Sequence, residues 1–216
     1  MGGAQMVGFG AKQAWLAIGR NGADVAPDEI MAALGGRDLG AVDWRAGVDL
    51  AYLTDDRIVI TPPLAGAAGR AWTLVAGRAF FAADGAPDIA SLSASLDADV
   101  QYFATHRVAE AHDWERAVGG RLVRAFRYVG ERGQVTRWYG EPDATERAVG
   151  LPASYDTERD PDGQPDIVVG EPDVMRVAAA WSVDPSSLQG QPAAGRLRVA
   201  ALTQRDGGAS RSRPDQ

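Results

Sequence analysis

Val100–Tyr139, VQYFATHRVAEAHDWERAVGGRLVRAFRYVGERGQVTRWY, holds both histidines of the chain, two of its six tryptophans and its clearest strand and turn signals. Gly119 and Gly120 lie between two runs of alternating character, and paired glycines supply the positive φ angles that a two-residue hairpin turn requires. After that turn Leu122, Arg124, Phe126 and Tyr128 fall on one face of a period-two strand, with Val123, Ala125, Arg127 and Val129 on the other. Neither face is wholly polar. The strand therefore belongs inside a sheet, its arginine stems lying along apolar neighbours and their heads reaching carboxylates or water. A second turn over residues 130–133 leads into Gln134–Tyr139, rich in Val, Thr, Trp and Tyr, and the segment reads as a β-meander. Val108–Val118 contains no Gly or Pro and reads as a strand, although Val108, Ala111, Trp114 and Val118 are also spaced as one face of a helix.

Outside this segment the composition sets bounds. At 216 residues, 45% of them apolar, the chain can bury a core, and residues 11–204 read as a single domain with a half boundary near 65–70. There is no apolar run of about eighteen residues, and no basic segment leads into an apolar one, so a cytoplasmic protein without a membrane partner is expected. The absence of cysteine removes disulfides, thiolate metal sites and cysteine nucleophiles. One lysine stands among the 22 basic residues, with abundant Ala and Gly, as in proteins from GC-rich genomes; arginine content alone then says little about phosphate binding. A net charge of −7 weighs against nucleic acid. The charge is uneven: residues 100–140 carry seven arginines and four acids, a local +3, and each flank sums to −5. Such a pattern fits a sheet whose arginines pair with carboxylates of flanking elements. It fits equally an arginine-lined concave site for an anionic small molecule or partner.

Taken in order, residues 1–10 are small and read as a flexible N-terminus; Gly8-Phe9-Gly10 precedes a strand and lacks a third glycine, so it is no dinucleotide fingerprint. Lys12–Ile18 reads as the first strand. Pro27-Asp28-Glu29 opens a short helix that runs to about Leu34 and stops at Gly35-Gly36. Trp44–Leu53 and Arg57–Thr61 read as strands halted by Pro62-Pro63, and Ala71–Phe81 as another. Pro87-Asp88 opens a second helix, IASLSASL, ahead of the meander. Glu141-Pro142-Asp143 opens a helix to about Val149, and the Pro, Asp and Gly-rich stretch 151–170 reads as a surface loop. Glu171-Pro172-Asp173 opens the last clear helix, with Val174, Val177, Ala178 and Trp181 along one side, and Asp184-Pro185 caps a further turn. Arg196–Leu202 is the final strand, and residues 205–216 read as a disordered tail. AWLAIG, a Pro-Asp helix, DWRA and a strand pair match AWTLVAG, a Pro-Asp helix, DWERA and a strand pair, the outline of an internal βαββ duplication. The whole predicts an α+β fold: a mixed, mostly antiparallel sheet, the meander over residues 100–139 at its centre, and short helices packed on it.

The runs FATHRVAEAHDW, GRLVRAFRYVGERG and DVMRVAAAWSVDP resemble a pattern found in a group of uncharacterised bacterial proteins, chiefly actinobacterial, over about the second half of the chain. The resemblance implies a bacterial, cytosolic origin and carries over no activity or functional residue. Function has to be read from the site.

On an extended strand His106, Glu110 and His112 share one face, two imidazoles and a carboxylate suited to acid and base work. Same-face positions lie about 7 Å apart at a rise of roughly 3.4 Å per residue, so the histidines would stand about 20 Å from each other, too far to share an ion. A turn near residues 109–111 would instead fold them back. No metal or cofactor is expected. Glu158–Gly163 places oxygen donors like the start of a calcium loop, but Val169 stands where the bidentate acid is required and Pro165 intrudes. Most tryptophans read as core. Trp114 and Trp138, with Arg116, Arg124 and Arg127, are the side chains expected to meet a partner or ligand, since Trp and Arg are enriched at interfaces. The chain has no G-x-S-x-G elbow, Walker A loop or H-E-x-x-H helix. The leading expectation is a cytosolic, non-enzymatic protein-binding module of immunity or accessory type, its acidic body meeting one partner of basic character. The alternative is a small-molecule enzyme or ligand-binding protein with a pocket around His106, Glu110 and the meander arginines, with His106 as general base. The first requires Trp114 and Arg124 to be exposed. The second requires a concave pocket at His106.

Overall fold

A computed structural model describes residues 4–81, 87–130, 133–158 and 166–202 of the chain. The acidic run after Glu158 and the tail from 205 lie outside the described residues. The strands are β1 (Ala14–Gly19), β2 (Gly36–Val42), β3 (Arg57–Ile60), β4 (Leu64–Ala65), β5 (Ala71–Ala76), β6 (Asp99–His106), β7 (Ala111–Val118), β8 (Arg121–Val129), β9 (Gln134–Tyr139) and β10 (Leu197–Leu202). The helices are α1 (Pro27–Ala33), α2 (Trp44–Leu53), α3 (Ile89–Leu96), α4 (Ala144–Ala148) and α5 (Glu171–Trp181). One sheet runs β2-β10-β3-β5-β1-β6-β7-β8-β9, with β4 paired to β5 off this path. The described pairings are all antiparallel. The fold is α+β, as expected.

Strand β1 is the axis of this arrangement because its side chains serve two cores. Trp15 and Ala17 face the layer that contains α2 and α5, while Ala14, Leu16 and Ile18 face the layer that contains α1 and α3. All six of its residues are buried. Each large apolar side chain removed from water contributes about 1.5–3 kcal/mol, so the centre of the sheet holds both layers at once. On the first layer Trp15 stacks on Phe103, which meets Trp181 of α5, and Trp114 packs on Phe126, which meets Trp138. The six tryptophans all belong to this layer.

The meander is β6-β7-β8-β9 and its hairpin is as read: Val118 pairs with Arg121, leaving Gly119 and Gly120 at φ 57° and 74° in the turn. It occupies one end of the sheet, not its centre; β1 takes the centre because β10 returns from the C-terminus to sit between β2 and β3.

Four expectations need correction. Trp44–Leu53 is a helix, not a strand: Asp43 caps it by accepting from Ala46 N at 2.9 Å, and Trp44, Gly47 and Ala51 recur at helical spacing on its buried side. Val108 is not in a strand, because residues 107–110 form a turn with Glu110 at φ 45° and β7 starts only at Ala111. Residues 4–10 are packed, not loose: Met6 and Phe9 are buried, and Met6 N donates to Gln191 O at 2.8 Å. The duplication fails at its third element, since the DWRA run opens a helix and the DWERA run is the middle of β7.

Candidate functional site

The sequence-predicted site residues do not come together. In the β6–β7 register His106 stands opposite Ala111 and Thr105 opposite His112, so the imidazoles project from opposite faces of the sheet. The turn does fold the strand back, but it separates the rings instead of pairing them. His112 is buried, its Nδ1 is 3.1 Å from Thr105 Oγ1, and burial holds its pKa below the ordinary histidine value against the pull of Glu171, Asp173 and Glu110. Glu110 lies against the backbone of Gly130, whose N–H donates to Glu110 O at 3.0 Å. His106 lines a cavity of about 360 Å³ with Lys12, Tyr52, Asp55, Arg78, Phe81 and Val108; neither Glu110 nor a meander arginine contributes to it. The composite acid and base site of His106, Glu110 and His112 is therefore not formed.

Trp114 and Arg124 are core residues, which removes them as direct contacts for a partner. Trp114 Nε1 and Arg124 Nε both donate to Glu146 Oε1 at 2.7 Å, and Arg124 also reaches the carbonyls of Ala125 and Tyr139 at 2.9 and 2.8 Å. Glu146, from the short helix α4, is itself buried and caps that helix by accepting from Asp143 N at 2.9 Å. Trp138 is half-buried, with the Arg124 guanidinium 4.3 Å from its ring centroid. Arg127 keeps surface exposure and lies 3.8 Å from Asp113.

On the opposite sheet face β7 buries two carboxylates, Asp113 and Glu115. Burial, then the charge of Glu115, push the Asp113 carboxyl up to about 8, against Arg127 and Arg137. Burial also raises Glu115, opposed by Arg137 at 3.0 Å and by Arg127. Asp113 Oδ1 accepts no hydrogen bond.

The arrangement with chemical content is a cleft of about 630 Å³ at one end of β5, β1, β6 and β7. Three arginines from separate parts of the chain line it: Arg20 after β1, Arg70 before β5 and Arg116 in β7. Asp99, the first residue of β6 and 4% exposed along its side chain, serves two of them, with Arg70 Nη2 at 2.8 Å and Arg116 Nη2 at 2.7 Å on the same carboxylate oxygen. Arg116 Nε adds a bond of 3.2 Å to the other oxygen. Arg70 Nη1 donates to Asn21 at 3.0 Å, while its Nε is buried without a partner. Arg20 is anchored by Leu96 O at 2.6 Å and by an exposed pair with Glu29 at 2.8 Å.

These guanidiniums are held from behind. Arg70 lies 4.4 Å over the ring of Trp72 and Arg116 5.8 Å from that of Trp181. Gly19 makes the first stack possible, because a Cβ there would stand 2.7 Å from the Trp72 ring. Rigid arginines around one carboxylate present donors that need no reorganisation to meet an oxyanion. Of the cleft residues only Arg116 belongs to the predicted set. Arg20, Arg70 and Asp99 carry no motif; their one sequence sign is that each flanks the end of a strongly apolar strand.

Fold and cleft thus define an antiparallel α+β protein with a strand-end arginine site. The chain matches no protein-family model, no curated protein and no solved structure, so its function is argued from its own residues.

Proposed function

We propose that the chain is a binding protein for a compact, multiply charged oxyanion, of the phosphate or polycarboxylate class, received between Arg20, Arg70 and Arg116. The observation that carries this reading is the sharing of one buried carboxylate by two guanidiniums. Lining charge comprises three arginines against Asp97 and Asp99, an excess of one positive charge in a chain of net −7. Arg20 also pairs with Glu29 at 2.8 Å outside that lining, so an oxyanion competes with Glu29 for this guanidinium. An incoming oxyanion completes the pairing that Asp99 leaves half-made.

Calorimetric titration with pyrophosphate and with citrate at low ionic strength tests it. Saturable binding is expected, weakened about tenfold or more in Arg70→Gln and in Arg116→Gln, as for loss of a charge-assisted bond. Asp99→Asn removes the resident counter-charge and should tighten the anion; no binding by the parent chain, or an Asp99→Asn variant that binds more weakly while still folded, overturns the reading.

A protein partner is the second reading. It draws on β9, which is the last strand of the sheet among the described residues and carries half-exposed Tyr139 beside Arg137. On this reading Tyr139→Ala abolishes capture of a partner of basic character without touching anion binding in the cleft.

A further inference from the structure

The cavity at the other end of β1 and β6 has a different chemistry from the arginine cleft. Its walls are Lys12, which lies two residues before β1; His106, which ends β6; and Tyr52, Asp55, Arg78, Phe81 and Val108. Lys12 is the one lysine of the chain. Its backbone is left-handed, φ 53°, a conformation that costs a non-glycine residue roughly 1–2 kcal/mol. The turn that imposes it is closed by Gly10 N on Gln13 Oε1 at 2.8 Å and by Gln13 N on Gly10 O at 3.2 Å, which fixes where the lysine leaves the main chain. Lys12 has no ion-pair partner among the described residues. Arg78, by contrast, is paired with Asp55 at 3.1 Å. Among the described residues the cavity therefore carries one cation without an acidic partner.

His106 supplies a ring N–H donor to the same cavity. Its Nδ1 accepts from Ala109 N at 3.2 Å, so the ring proton resides on Nε2. Phe81 meets the imidazole edge-on at 5.9 Å and clamps its orientation. Beside the Arg78–Asp55 pair, the rest of the lining is Phe81, the Tyr52 ring and Val108, which is 73% exposed. One ammonium, one fixed N–H and an aromatic wall select a single anionic head on an apolar body, whereas the arginine cleft selects concentrated charge.

We propose that this cavity is a second binding site, for a carboxylate bearing an aromatic group, whose head is held by the Lys12 ammonium and the His106 Nε2–H while the ring lies against Phe81, Tyr52 and Val108. The site is independent of the arginine cleft, and Arg70→Gln leaves it unchanged.

The composition of the chain makes the test direct. Reductive ¹³C-methylation labels Lys12 as its one side-chain amine, and the two histidines give two ring signals, of which buried His112 serves as the internal control. Titration with phenylacetate should move the Lys12 and His106 signals along one saturable curve and leave His112 in place. 2-Phenylethanol, which lacks the carboxylate, and inorganic phosphate, which lacks the ring, should each bind at least about tenfold more weakly, the loss of one charge-assisted bond or of one buried ring. Lys12→Gln and His106→Gln should weaken phenylacetate to a similar degree with far-UV circular dichroism unchanged. The proposal is overturned if neither signal moves at millimolar phenylacetate, if phosphate moves both equally, or if folded Lys12→Gln binds phenylacetate as the parent does.

Discussion

Asp113 shows what a single buried carboxylate does to the molecule. Its carboxyl is raised to about 8 by burial and by Glu115, so between the ordinary carboxylate range and pH 8 the native protein holds a proton that the unfolded chain has released. The sign follows: stability falls as pH rises through that window and levels off above it. Asp113→Asn, which keeps the shape without the charge, should be close to neutral at about pH 4, increasingly stabilising up to about pH 8 and level above it. Thermal melts of both proteins across that range check it; parallel curves would mean that Asp113 is ionised throughout. Arg127 and Arg137, directly opposite each other on β8 and β9, lie over these acids, 3.8 Å from Asp113 and 3.0 Å from Glu115.

At the scale of the element, α4 is five residues long, too short to be stable by propensity, and is held by what its acids accept. Asp143 caps it through Glu146 N at 2.9 Å and takes Trp181 Nε1 at 2.7 Å, while Glu146 takes Trp114 Nε1 and Arg124 Nε. The helix thereby clasps α5 to the meander. Glu146→Ala leaves a buried guanidinium and an indole N–H unpaired, and should cost about 3–5 kcal/mol in urea unfolding. Glu146→Gln keeps one acceptor and should cost less. Equal, small losses in both would mean that water replaces the carboxylate. Sequence reading finds α4 from Pro142-Asp143 but assigns Trp114 and Arg124 to a surface, because nothing local shows that an acid 32 residues beyond Trp114 will reach its indole.

At the scale of the molecule, both layers rest on the same strands. Since β1 alternates Trp15 and Ala17 into one core with Leu16 and Ile18 into the other, neither layer can open without exposing the strand between them. Tryptophan fluorescence reports one layer alone, because the six indoles lie there, whereas far-UV circular dichroism reports both. The two signals should give coincident urea transitions. An earlier fluorescence midpoint would show that the α2 and α5 layer opens separately. The strand-end position of both cavities has the same origin: the sheet buries its middle and leaves the polar termini of β1 and β6 to form walls.

What the sequence by itself determined is local: the hairpin at Gly119-Gly120, the helices opened by Pro-Asp pairs, the antiparallel meander and the α+β class all follow from turn chemistry and hydrophobic period. It misassigned Trp44–Leu53 as a strand, although the buried positions Trp44, Gly47 and Ala51 follow the helical period, and it could not place His106 and His112 on opposite faces, which depends on where the turn begins. The tertiary structure decided which arginines are structural and which line a cleft. Arg124 finds Glu146 and is buried, while Arg70 and Arg116 share Asp99, Arg20 is held by Leu96 O and Glu29, and all three border open space. The physical reason is that a guanidinium's role depends on the carboxylate it meets, and Arg70 meets an acid 29 positions away that only strand pairing brings to it.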